Sequence, residues 1–131
     1  MKAKFLTDLV VEALSDDTWQ VVSALRYQSQ ILNNIIEVPA GFVTDFASVP
    51  RVPIVFEQFG DRAHHESVVH DWLYYTASTS RKTADMVFLE AMKSRGKPWW
   101  ICRGMYLGVR AGGWVAWNAH RKARHPKKER K

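Results

Sequence analysis

Cysteine is almost absent from this sequence of 131 residues, in which Cys102 stands alone. One thiol cannot form a disulfide within the chain, which excludes a disulfide-stapled secreted domain. It fits a reducing compartment or a particle assembled inside a cell. A signal peptide is not predicted, because Asp8 and Glu12 interrupt the apolar residues at the start. The length allows one hydrophobic core, so we expect a single domain over residues 1–120 and a tail over 121–131.

A long uninterrupted apolar run is missing as well. The most apolar stretch extends from Trp99 to Trp117, but it contains Arg103 and Arg110. An arginine at the centre of a bilayer costs about 2.5–3.5 kcal/mol, so no transmembrane segment is predicted.

The body of the chain lacks an excess of charge of either sign. The net charge is +6, and residues 121–131, with seven Lys or Arg and one Glu, account for all of it. A neutral body gives no sign of an extended nucleic-acid surface. We expect the basic tail either to be simply solvated or to contact nucleic acid or anionic lipid.

The first half of the sequence has the features of strands. Turn signals at residues 15–17 and 33–34 separate three runs of strand-like pattern, which predict a small antiparallel sheet: Leu9–Leu14, Trp19–Tyr27 and Ile35–Val38. The Pro-containing segment from Gly41 to Pro53 predicts an ordered loop over the domain.

The second half has the spacing of helices. Apolar residues three and four apart predict helices from Asp61 to Tyr75, with Asp61 as the cap, and from Arg81 to Ser94. Pro98 can begin a third helix, in which Gly104, Gly108 and Gly112 share a face and would let another backbone approach. The predicted fold is therefore α+β, with a small antiparallel sheet followed by three helices.

The segment AHHESVVHDWLYY holds the densest set of titratable groups. His65 and His70 are five residues apart, about 140° around a helix, so they do not form the pair that a helical zinc site requires. Glu66 and His70 have the correct spacing, but such a pair is more often a surface contact.

His70 and Asp85 are predicted to meet across two neighbouring helices. A short connection joins the helices, and the two residues lie at similar distances from it. Asp85 can fix the tautomer of His70, whose other ring nitrogen then accepts a proton from water. Tyr74 lies one turn beyond His70 and can cover it. Asp71 points to another side, where it can hold a divalent cation; alternatively, His70 and Asp85 only clamp the helices together.

Other polar residues allow two interpretations. Thr44, Asp45 and Ser48 can supply oxygens to a cation or, more commonly, hold the loop through hydrogen bonds to its backbone. Ser48 lacks the glycine-flanked turn of a serine nucleophile. Cys102 is expected to be a small packing residue.

Three ordered motifs, VPAGFVTDFASVPR, VVHDWLYY and RKTADMVFLEAM, resemble the domain-of-unknown-function 1353 family, which is found mainly in bacteriophages and prophages. The resemblance spans Ile35 to Met92 and implies a phage origin. It also implies a location in the virion or in the host cytoplasm.

The helix pair also resembles the core of phospholipase A2, in which a His-Asp-x-x-Tyr helix packs against a helix that carries an Asp. The resemblance implies that His70 is the general base, that Asp85 orients it with the support of Tyr74, and that Asp71 binds Ca²⁺. The glycine-rich calcium loop of those enzymes is absent, so Asp45 and its loop would have to supply the remaining ligands.

Two functions follow as expectations. The first is a metal-assisted hydrolase of lipid or of another envelope ester. The second is a virion or tail-associated structural protein, in which the His70–Asp85 pair is a clamp and the last helix and basic tail bind a protein or DNA partner.

Overall fold

The computed structural model describes residues 2–16, 18–45 and 64–124. Strands occupy the first part of these ranges and helices the second, as predicted for an α+β fold. The strands are β1 (Lys4–Phe5), β2 (Val11–Ala13), β3 (Trp19–Val21), β4 (Leu25–Ser29), β5 (Asn34–Val38) and β6 (Val43–Thr44). The helices are α1 (His64–Thr76), α2 (Arg81–Ser94), α3 (Trp99–Gly112) and α4 (Trp114–Arg124).

The described strands form two antiparallel sheets of three strands, in the orders β1-β4-β5 and β2-β3-β6. β4 and β5 form a hairpin whose register pairs Leu25 with Val38. The hairpin turns at Asn33, whose positive φ of 50° suits asparagine. Along β4 the buried residues alternate with more exposed ones, because successive side chains of a strand point to opposite faces.

The run Trp19–Tyr27, predicted as one strand, is divided between the two sheets. β3 pairs with β2 and β6, whereas β4 pairs with β1 and β5. An alternating pattern shows which face is buried but not which strand lies alongside. The sequence also did not predict β6, which lies within the predicted loop from Gly41 to Pro53 and pairs with β3. Residues 46–53 of that loop lie outside the described residues.

The first two helices begin and end close to the predicted residues. α1 is described from His64, and its predicted cap, Asp61, lies outside the described residues. α2 spans Arg81–Ser94 as predicted, and the Ser80 hydroxyl caps it by accepting a hydrogen bond from the backbone N–H of Thr83 at 3.1 Å. Gly96, with a positive φ of 77°, follows its end.

The predicted third helix is two helices, so the described ranges contain four rather than three. The division falls at Gly112 and Gly113, because consecutive glycines have low helix propensity. It is slight: Gly113 keeps helical dihedrals, its N–H donates to the carbonyl of Val109 at 2.8 Å, and its carbonyl accepts from Trp117 at 3.0 Å. α4 continues to Arg124, into the predicted tail.

The expected close approach of another backbone to Gly104 and Gly112 is wrong. Among the described residues, and apart from the neighbouring backbone of the same helix, no heavy atom lies within 4 Å of a Cβ built at either position. The crowded glycine is instead Gly113, where a Cβ would stand 2.5 Å from the Tyr74 hydroxyl and in overlap with the Val109 carbonyl. The α3–α4 junction therefore packs directly on α1.

In the described part of the chain, two clusters of buried apolar residues form the core. The larger joins the sheets to α1 and α2 through residues such as Leu25, Tyr27, Val38, Val69 and Val87. The smaller joins α2 to α3 and consists of Phe88, Met92, Ile101, Cys102, Met105 and Val109. Cys102 is buried there, as expected of a packing residue. Among the described helices, none has the length and apolarity that a membrane crossing requires.

We predict that Gly113→Ala lowers the free energy of unfolding by about 1–3 kcal/mol, because the new methyl group overlaps Tyr74. Gly112→Ala is the matched control: its methyl group meets open space and should stabilise the helix by about 0.5–1 kcal/mol. Urea unfolding of both variants checks this. Equal changes in stability at the two glycines would contradict the close contact between Gly113 and Tyr74.

Candidate functional site

The expected meeting of an imidazole and a carboxylate is found between α1 and α2. Residues 77–80 join the two helices, which pack against each other. Nε2 of His70 lies 2.6 Å from Oδ1 of Asp85, and both side chains are completely buried. Their roles stay predictions, but their contact is a feature of the fold.

Tyr74 completes this arrangement from one turn beyond His70. Its hydroxyl donates to the same oxygen of Asp85 at 2.6 Å, and its ring lies against the imidazole with the centroids 4.2 Å apart. It is also completely buried. The sequence predicted that Tyr74 covers His70, and the two rings are in contact. The supporting role that the phospholipase A2 resemblance implied for Tyr74 stays a prediction.

Two arginines that the sequence did not single out contact the other oxygen of Asp85. Nη1 of Arg110, on α3, lies 2.8 Å from Oδ2, and Nη1 of Arg81 lies 3.5 Å from it. Arg81 also donates to the carbonyls of Val109 and Arg110 at 3.1 and 3.2 Å, and so caps the end of α3. Arg81 precedes Asp85 by four residues, a helical pair that the sequence could have revealed.

The surroundings favour a neutral imidazole beside an ionised carboxylate. Burial lowers the pKa of His70 below its ordinary 6.5, although the hydrogen bond to Asp85 partly offsets this. Burial alone would raise the pKa of Asp85, but the hydrogen bonds from His70, Tyr74 and Arg110 outweigh it, so the pKa falls below 3.8. Burial raises the pKa of Tyr74, which therefore stays a donor.

Asp71 points away from this group and contacts α4. Its Oδ1 lies 3.1 Å from Nε2 of His120, and its side chain is only 4% exposed. His120 packs edge-to-face on Tyr75, with the ring centroids 5.9 Å apart. The sequence placed Asp71 on a different side from His70, as found, but it did not identify His120 as the partner.

The described donors do not fit a calcium ion. Ca²⁺ takes six to eight oxygen ligands. Within residues 2–16, 18–45 and 64–124 no group of three or more His, Cys, Asp or Glu side chains could hold a metal. Asp71 faces an imidazole, Asp45 is exposed at the end of a described range, and Thr44 is buried. Ser48 lies outside the described residues.

His65 and Glu66 serve other contacts. Nε2 of His65 accepts a hydrogen bond from the backbone N–H of Leu9 at 3.2 Å, and burial lowers the pKa of His65 to about 4. The expectation of a surface contact between Glu66 and His70 is wrong. Glu66 is completely buried, with Nζ of Lys97 at 2.9 Å and Nε of Arg95 at 3.3 Å.

We predict that Asp85→Asn lowers the free energy of unfolding by about 3–5 kcal/mol at neutral pH, because it leaves the cationic partners of a buried carboxylate uncompensated. The control is Glu37→Gln, which removes the acid of the exposed Arg26–Glu37 pair and should cost less than about 1 kcal/mol. Urea unfolding measures both free energies. Equal losses of stability in the two variants would contradict the role of Asp85 as a buried carboxylate that holds the helices together.

The loss in Asp85→Asn should also depend on pH. Because the pKa of Asp85 in the folded chain lies below 3.8, its stabilisation is complete above that pH and disappears as the pH falls through the folded value. The difference between wild type and variant should therefore be constant near neutrality and shrink only below 3.8. A difference that disappears at higher pH would contradict the lowered pKa.

Comparison with known proteins gives a family. The model of the family described as "Protein of unknown function (DUF1353)" matches residues 19–109, which include both sheets' central strands, α1, α2 and most of α3. Searches of curated proteins and of solved structures find no significant match. The match covers well over half of the chain. It includes His70, Tyr74 and Asp85 and ends one residue before Arg110. The chain therefore belongs to the DUF1353 family.

Proposed function

We propose that this protein hydrolyses an ester, with His70 as the general base. The observation that carries the proposal is the 2.6 Å contact between Nε2 of His70 and Oδ1 of Asp85, with the Tyr74 hydroxyl on the same oxygen. With Nε2–H bonded to a carboxylate, a neutral imidazole carries its basic lone pair on Nδ1, and catalysis requires the packing around the buried ring to open and admit water.

The proposed step uses the two ring nitrogens differently. Asp85 accepts a hydrogen bond from Nε2–H, so the basic lone pair of the ring is on Nδ1. When the packing opens, Nδ1 removes a proton from the water that enters, the resulting hydroxide attacks the ester carbonyl, and the same proton then passes to the departing alkoxide. Asp85 stabilises the imidazolium that forms between these steps and stays ionised throughout. Tyr74 and Arg110 fix the position of the carboxylate.

The substrate class is proposed from the resemblance to phospholipase A2. His70, Asp71 and Tyr74 match its His-Asp-x-x-Tyr motif, and Asp85 matches its second acid, which points to a lipid or another envelope ester. The step is written without an assigned metal ion, because Asp71 contacts His120 and the loop that follows Asp45 lies outside the described residues. The proposed setting is a phage or prophage protein, which rests on the three sequence motifs between Ile35 and Met92.

A specific observation favours a second candidate, a non-catalytic virion or tail-associated protein. His70, Tyr74 and Asp85 have no exposed surface, and the carboxylate already contacts four side chains. A group buried in this way also clamps helices together, without any chemistry. The two candidates differ in whether the loss of His70 removes a reaction.

We predict that wild-type protein releases fatty acid from mixed phospholipid vesicles and that His70→Gln reduces the rate by about 10²–10⁴-fold, the usual contribution of a general base. His65→Gln is the matched control, since it removes a histidine from the same helix outside the group. Tyr74→Phe keeps the ring but removes the hydroxyl, and should slow the reaction less than His70→Gln. Circular dichroism checks that each variant is folded.

Assays with added Ca²⁺ and with a chelator run in parallel. A folded His70→Gln protein that keeps full activity would contradict the general-base role. Wild-type protein that hydrolyses neither phospholipids nor simple esters under both conditions would overturn the hydrolase and favour the clamp.

A further inference from the structure

Large apolar and basic side chains lie exposed together on α3 and α4. Trp99 is 74% exposed, and Trp100, Leu107, Trp114 and Val115 each expose 45% or more of their surface. Arg103, Arg121 and Lys122 are exposed on the same two helices. We call these eight residues the outer face. Soluble domains rarely expose such a concentration of apolar surface without a binding role.

The outer face is continuous because the two helices are nearly one. The hydrogen-bond ladder passes through Gly113, which keeps helical dihedrals. At about 100° per residue, Trp99, Arg103, Leu107 and Trp114 fall within one quarter of the helix circumference. The opposite side carries Ile101, Cys102, Met105 and Val109, which are buried in the core.

The outer face is also free of negative charge. Between Trp99 and Arg124 the sequence contains no Asp or Glu, whereas the basic residues are Arg103, Arg110, Arg121, Lys122 and Arg124. Arg110 is held by Asp85 on the inner side, but Arg103, Arg121 and Lys122 are exposed. An anionic surface is therefore the complementary partner by charge.

We propose that the outer face binds the surface of an anionic lipid bilayer, with α3 and α4 lying in the plane of the headgroups. Tryptophan prefers the interface between headgroups and acyl chains, because its ring is apolar and its N–H is polar. Leucine and valine enter the acyl region, and arginine stems follow them while their guanidinium groups reach the phosphates. Nucleic acid would neutralise the cations, but its phosphate-lined surface offers no apolar layer that could bury both Leu107 and Val115.

This binding does not rest on the proposed hydrolase. The side chains of His70 and Asp85 are completely buried, so the outer face keeps its chemistry whether or not they carry out a reaction. A membrane-bound protein without activity and an active protein without membrane affinity are thus separate outcomes.

The test is co-sedimentation of the full chain with vesicles of phosphatidylcholine alone and of equal parts phosphatidylcholine and phosphatidylglycerol. We expect at least tenfold tighter binding to the anionic vesicles, weakened by added salt. Trp99→Ser with Trp100→Ser should reduce the affinity at least tenfold. Arg103→Glu with Arg121→Glu should reduce it further, since each cation contributes roughly fivefold and each reversal adds repulsion.

Two controls separate the outer face from exposed residues in general. Val22→Ser removes an apolar side chain that is 50% exposed and directly follows β3. Lys82→Glu reverses an exposed charge on α2. Both should bind within about twofold of wild type.

Several results would overturn the proposal. Equal binding to both vesicle types would remove the anionic requirement, and unchanged binding in the outer-face variants would place the contact elsewhere. Absence of binding to any vesicle would also overturn it. A stable dimer in sedimentation velocity, lost in the Trp99→Ser, Trp100→Ser protein, would show that the outer face binds a second copy of the chain. Tighter binding to random duplex DNA than to vesicles would overturn the proposal too.

Discussion

The buried carboxylate of Asp85 is the contact on which the arrangement of the helices depends. It lies on α2 and accepts hydrogen bonds from His70 and Tyr74 on α1 and from Arg110 on α3. Arg81 adds a second guanidinium and caps the end of α3. A charge without exposed surface is costly to bury unless it is surrounded by donors, so these side chains hold three helices in one relative position.

The same contacts determine which side of α3 and α4 faces outward. Arg110 and Gly113 tie the end of α3 to α2 and α1, and α4 continues with Trp117 edge-to-face on Tyr74, their ring centroids 5.1 Å apart. His120 meets Asp71 one turn further on. Because these inner contacts use the polar and aromatic groups of one side, the tryptophans and arginines of the other side remain at the surface.

Sequence reasoning was most successful where the pattern is local. The spacing of apolar residues gave α2 as found, and the short connection between α1 and α2 was enough to bring His70 to Asp85. It failed where a partner lies far along the chain. Lys97 reaches Glu66 from 31 residues away, and Arg110 reaches Asp85 from 25. Strand pairing failed for the same reason, since alternation does not reveal that β3 and β4 belong to different sheets.

In the proposed mechanism, His70 is a neutral base whose Nε2 proton is held by Asp85. Long-range ¹H–¹⁵N NMR spectra of His70 recorded during a pH titration test this most directly. We predict a proton on Nε2, none on Nδ1 at neutral pH, and protonation of the ring only below its ordinary pKa of 6.5. A doubly protonated ring at neutral pH, or a neutral ring with its proton on Nδ1, would contradict it.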